Sequence, residues 1–277
     1  MDIDSFDFDT LNPGKELRNY LMLLIPKGDL NVSDALTNDF TDRIDYIFKH
    51  NGEYQSLVYM SAINFLLRKI IKSAHYFKKK SELTDDYNYI DETRKYLTEN
   101  SRFNEDEIEK MLSLTILTIS YFENKPSKGL RNSLIRDAKA SSTPCYMCGR
   151  PINYDNRSSY EFVQVEHVWP KGIGGSNREF NLKVACFKCN KVKEEYIDYS
   201  DFHYEHISYK SLIEDYPLHE EFKYGHKLAI WGKNEFKCIV CSQEAVNVGP
   251  LKFKRRNPDD TWHFLNIDAY CNDHYNV

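Results

Sequence analysis

No apolar run in this chain approaches the roughly 20 residues that a helix needs to cross a bilayer, so no membrane span is expected. The first residues, Met1-Asp-Ile-Asp-Ser-Phe-Asp-Phe-Asp9, lack the basic start and apolar core of a secretory signal, which makes the cytoplasm the default compartment. A strong positive charge is missing too. The 277 residues carry a net charge of -5, and residues 142–200 hold 8 basic and 7 acidic side chains. That excludes a protein living on nucleic acid by bulk electrostatics; any action there needs a local patch or a partner that supplies affinity. An even set of cysteines is also lacking. Six of the seven form Cys-x-x-Cys pairs, and Cys271 lies three before His274, a spacing that reads as metal ligation rather than as a disulfide framework. Apart from this device there is no internal repeat.

What is present is enough for two or three folded domains. The chain is polar, with a mean hydropathy of -0.63, but 14% of it is aromatic, which argues against disorder. Helical spacing is expected over 15–24, over 34–50 after Ser33, over 53–80, over 86–99 and over 127–140. Asn104 with Glu107 reads as a capping box opening another helix to about Phe122. Lys78–Lys80 read more readily as a solvated helix end than as a phosphate contact. Small residues at Ala140-Ser-Ser-Thr-Pro144 then mark a boundary, after which the helical period disappears. Strands are expected over 160–165 and 181–185, with a helix over 188–196. Short helices around 208–224 and strands around 236–239, 251–256 and 262–267 follow. The expected class is α+β, in three parts: a helical domain 1–141, a small strand–strand–helix domain 142–200, and a C-terminal region 201–277.

The chemistry concentrates between Cys145 and Lys193. Cys145/Cys148 and Cys186/Cys189, with 37 residues between the pairs, suit one tetrahedral structural zinc. Four thiolates close that coordination sphere, so His167, at the end of a strand inside the tied loop, is not needed as a ligand. Its ordinary pKa suits it to general base work. Glu166 beside it and Asn190 on the closing helix are hard oxygen donors, a set that suits Mg²⁺ or Mn²⁺ with positions left open for a phosphate.

Glu166-His167-x-x-Pro170, Gly174-Gly175, Asn181-Leu182, Cys186-x-x-Cys189-Asn190 and Lys193 resemble the HNH endonucleases of the ββα-metal type, in the variety framed by a four-cysteine zinc. The resemblance covers residues 145–193. It implies that His167 activates the water attacking a phosphodiester, that Asn181 holds the histidine loop, and that Glu166 and Asn190 bind one divalent metal. The family more often carries Asp or His before the base and His at the third position, so Glu166 and Asn190 are departures. Lys193 is expected either at a phosphate or on the helix surface.

A second structural zinc is expected on Cys238, Cys241, Cys271 and His274, with 29 residues between the two pairs. Lys252, Lys254, Arg255 and Arg256, close to Trp262 and Phe264, mix cations with aromatics as nucleic-acid surfaces do, and equally as a blunted edge strand does. The overall expectation is a metal-dependent nuclease cutting DNA, with RNA not excluded. The competing expectation is a catalytically silent, zinc-stabilised nucleic-acid-binding or adaptor protein. The family resemblance and the balanced charge together imply a role in bacterial restriction or phage defence, beside a protein partner such as an ATPase or sensor.

Overall fold

A computed structural model describes residues 12–25, 51–83, 88–122, 126–202, 208–209 and 223–276. The helix expected over 34–50 and most of the segment 208–224 lie outside the described residues, as do His50, His203, His206 and His219. The chain mixes helix and strand, with a helical N-terminal part. Among the described residues no helix is long and apolar enough to cross a membrane. There are two compact units: Met1–Lys125 with Trp169–Asn181, and Pro126–Val168 with Leu182–Val277.

The first unit contains helices α1 (Pro13–Leu24), α2 (Asn51–Ser81), α3 (Tyr89–Asn100) and α4 (Glu105–Ser120). Pro13 opens α1 at a position where its missing N–H costs nothing. The expected capping box of α4 is present: the Glu107 N–H donates to Asn104 Oδ1 at 3.0 Å, and the Asn104 N–H donates to Glu107 Oε2 at 2.8 Å. Leu17, Leu21, Ile63, Leu67, Ile71, Met111 and Ile119 form the buried stripe that joins the helices.

The segment 169–181 belongs to this unit. Gly14 must be glycine, because a Cβ there would fall on the Ile173 carbonyl. Gly174 closes the short turn Lys171–Ile173 at φ 76°, against Thr118 and Gly14. Asn12 Oδ1 accepts from the Ser176 N–H at 2.9 Å.

The second unit is built on the hairpin β1 (Val163–His167) and β2 (Leu182–Cys186), antiparallel from Val163 opposite Cys186 to His167 opposite Leu182. Helix α5 (Lys128–Ala140) packs on this hairpin. Ala138, Val163 and Val184 form the contact, with Ile135 and Phe162 around them. Periodicity identified this helix, and its packing partner is the hairpin. Helix α6 (Phe187–Lys193) follows β2 directly and lies against both strands. Strand β1 starts three residues later than expected, because Phe162 closes a turn onto the Ser159 carbonyl.

After β3 (Ser208–Tyr209) comes α7 (Tyr224–Lys233), which the sequence pattern did not reveal. It buries Leu228, Ala229, Ile230 and Trp231, and the indole N–H of Trp231 donates to the Leu251 carbonyl at 3.2 Å. The short helix α8 (Ala245–Val248) precedes β4 (Lys252–Arg255). Strand β5 (Trp262–His263) pairs with β3, β6 (Ile267–Tyr270) pairs antiparallel with β4, and α9 (Asn272–Tyr275) closes the fold. The strand expected over 236–239 is reduced to one bridge, Lys237 to Glu244, because Glu235, Phe236 and Ser242 take positive φ in a tight knuckle.

Candidate active site and metal centres

Cys145, Cys148, Cys186 and Cys189 are all buried, and their sulfurs lie within 4.8 Å of one another. Local backbone geometry explains the convergence. The Gly149 N–H donates to the Cys145 carbonyl at 2.8 Å, folding the first pair into a knuckle. Cys186 caps α6, its Sγ accepting from the Cys189 N–H at 3.4 Å. Hydrogen bonds from the neighbouring thiols, Cys145 first, hold Cys186 far below the usual thiol range. Tyr224, at the start of α7, places its hydroxyl 3.0 Å from Cys189 Sγ, and Lys188 lies 4.2 Å over the Tyr224 ring. Nothing in the spacing of the sequence pointed to Tyr224.

The second set, Cys238, Cys241, Cys271 and His274, converges in the same way. Nδ1 of His274 faces the sulfurs, 3.1 Å from Cys271 and 3.7 Å from Cys238. Burial pushes the Cys238 thiol up, but the N–H groups of Cys241, Cys271 and Val240 outweigh it and bring it down to about 6. Both sets are compatible with structural zinc: four ligands each, no open position, and soft sulfur donors. The two frames share packing. Gly149 (φ 65°) touches Gly249 and Ala245, and Tyr146 meets Phe236 edge-on at 5.6 Å.

His167 is the last residue of β1 and half-buried. Asn181 is buried ahead of β2 rather than within it. Its Oδ1 accepts from the Trp169 N–H at 2.8 Å, and its Nδ2 donates to the carbonyls of Trp169 (3.0 Å) and Ser176 (2.9 Å). This side chain ties off the loop that begins directly after His167 and Val168.

Glu166 is buried, and Lys193 reaches it from the end of α6. Lys193 Nζ donates to Glu166 Oε1 at 2.6 Å and to the His167 carbonyl at 3.0 Å. Lys193 is only 4% exposed and turned inward, so it does not stand on the helix surface, one of the two positions expected for it. The readable signal was its position three residues after Asn190, on the same face of α6. Tyr146 also adjoins this carboxylate. Its hydroxyl is buried without a hydrogen-bond partner among the described residues, and its pKa is pushed well above the usual phenol value by burial first and then by the Glu166 charge.

This order of two antiparallel strands and a helix, pinned at both ends by four cysteines, is that of the resemblance noted above, and residues 145–202 match the family model for HNH endonucleases. Over these residues the chain is similar to the HNH endonucleases. This similarity points to a nuclease, and so to a nucleic-acid substrate. No curated protein and no solved structure matches the chain.

Outside the HNH segment the expected basic patch is divided. Arg256 binds the buried Asp268, Nε to Oδ2 at 2.8 Å. Arg255 donates to the Asp260 carbonyl at 2.8 Å and lies over Trp262, while Lys252 stands over Tyr275. Lys254 is exposed.

Proposed function

We propose that this chain is an endonuclease that hydrolyses phosphodiester bonds in DNA, with His167 as general base and one divalent metal, Mg²⁺ or Mn²⁺, held by Glu166 and Asn190. The observation that carries the proposal is the antiparallel pair ending at His167 and closed by α6, with Glu166 buried under the helix that presents Asn190. The donor chemistry fits a hard cation: a carboxylate and a carboxamide oxygen, with a cationic group already accommodated at Glu166. When bound, the metal neutralises charge developing on the phosphate and its leaving oxygen.

The protein's own groups do the rest. His167, with its backbone carbonyl fixed by Lys193, takes a proton from the attacking water. Asn181 keeps the loop 169–181 in one shape through three hydrogen bonds. The nearly balanced charge supports a protein partner that brings substrate and enzyme together. A defence ATPase or sensor docked on the helical unit fits that need, within a restriction or anti-phage role.

The test is plasmid cleavage in Mg²⁺ or Mn²⁺. His167→Ala is expected to lose at least about a hundredfold in rate with zinc content unchanged; cleavage at the wild-type rate by the pure variant would sink the assignment. The silent binding or adaptor reading draws on one observation, the ammonium on Glu166. Salt-sensitive DNA binding with no turnover in any divalent metal would favour it.

A further inference from the structure

In the reaction as drawn Lys193 only braces the His167 carbonyl, yet both members of its pair with Glu166 are desolvated, at 5% and 9% side-chain exposure. An exposed ion pair would contribute little. In a buried one each charge depends on the other, and whatever approaches Glu166 must deal with both.

We propose that Lys193 is a resident counter-ion that competes with the divalent metal for Glu166, so that the metal binds weakly until a nucleic-acid phosphate enters beside it. This rests on the assignment of Glu166 to the metal. A single carboxylate offers one negative charge, and with an ammonium 2.6 Å from Oε1 that charge is already balanced. A dication approaching Glu166 meets a neutral pair and an adjacent positive charge, in surroundings where charge interactions are several-fold stronger than in water. Asn190 adds a dipole and no charge. The phosphodiester supplies the missing negative charge, and linkage makes the effect mutual: phosphate tightens the metal by the factor by which the metal tightens phosphate. The site is thereby kept from loading metal in the absence of substrate.

The measurement is Mn²⁺ binding to the full, zinc-loaded chain without nucleic acid, followed by the EPR signal of free Mn²⁺. Lys193→Gln and Lys193→Met are each expected to bind at least about tenfold more tightly than wild type. Lys193→Arg should bind as weakly as wild type, and Glu166→Gln should lose the site. Gln keeps an N–H donor for Glu166 and the His167 carbonyl but carries no charge, so it separates competition from simple bracing. Wild-type affinity in Lys193→Gln, tight binding in Lys193→Arg, or weaker binding in a folded Lys193→Met would each overturn the proposal. If Met at this position prevents folding, as judged by melting and zinc content, the Gln and Arg variants decide. Cleavage is scored separately. A wild type that never cuts counts against the nuclease assignment, whereas the Mn²⁺ affinities decide the role of Lys193.

Discussion

Asp268 is 1% exposed and binds two cations, Arg256 at 2.8 Å and Lys233 at 3.1 Å, while Lys233 also donates to the Phe264 and Ile267 carbonyls. Burial alone would raise its pKa; the hydrogen bond from Arg256 and the charge of Lys233 outweigh that and hold it below the usual carboxylate range. Asp268→Asn leaves Lys233 buried without its counter-charge and should cost about 3 kcal/mol in urea unfolding at pH 7. Because the folded pKa is depressed, the carboxylate's contribution is complete above the unfolded value near 4 and is lost as pH falls through the folded one. The gap between wild type and variant should therefore be equal at pH 7 and pH 5.5, and a gap already closing at pH 5.5 would contradict this account. At this scale the sequence was legible where ligand spacing is local, as at Cys145/Cys148 and Cys271/His274. It was opaque where partners meet across strands. Arg256 looked like part of a basic patch because nothing in its neighbourhood announces Asp268, twelve residues away.

Among the elements, long amphipathic helices were the easiest to read, since α2 and α4 repeat their apolar positions over many turns and α4 carries its own cap. Helix α7 was hidden because Gly225 and Gly232 flank a short apolar run, leaving too few turns to show a period. The ββα order of the HNH segment was visible, but its packing against the second zinc frame was not. That contact includes a close backbone approach, Gly149 against Gly249, which spacing along the chain does not announce. Gly149→Ala should therefore be costly twice over, by a left-handed backbone and by a Cβ pressed into the Gly249 main chain. The first cost alone is about 1–2 kcal/mol. The variant should melt at least about 3 °C lower than wild type, and an unchanged melting curve with full zinc would show that the two frames are not tightly joined.

For the molecule as a whole, the division into two units predicts what can be removed. Residues 169–181 leave the second unit after Val168, fold with the N-terminal helices through Gly14, Asn12 and Thr118, and return at Leu182. A fragment 126–277 should bind zinc yet fail to cleave, with broadened amide signals over 169–181 in an NMR spectrum. Cleavage at the full rate by this fragment would show that the helices are dispensable for the chemistry. The three segments expected from composition gave no hint of this, because chain order does not reveal where an inserted loop is received.

The membership of Trp169–Asn181 in the helical unit also bears on inheritance. A segment such as 145–202 is short enough to move between genes as a cassette. Here it would arrive in a new host protein with the Gly174 turn, Ile173 and Trp169 deprived of the helices that receive them. Changes around Gly14 and changes in the loop must then be accepted together. Recombination inside this gene would be expected to keep both parts or neither.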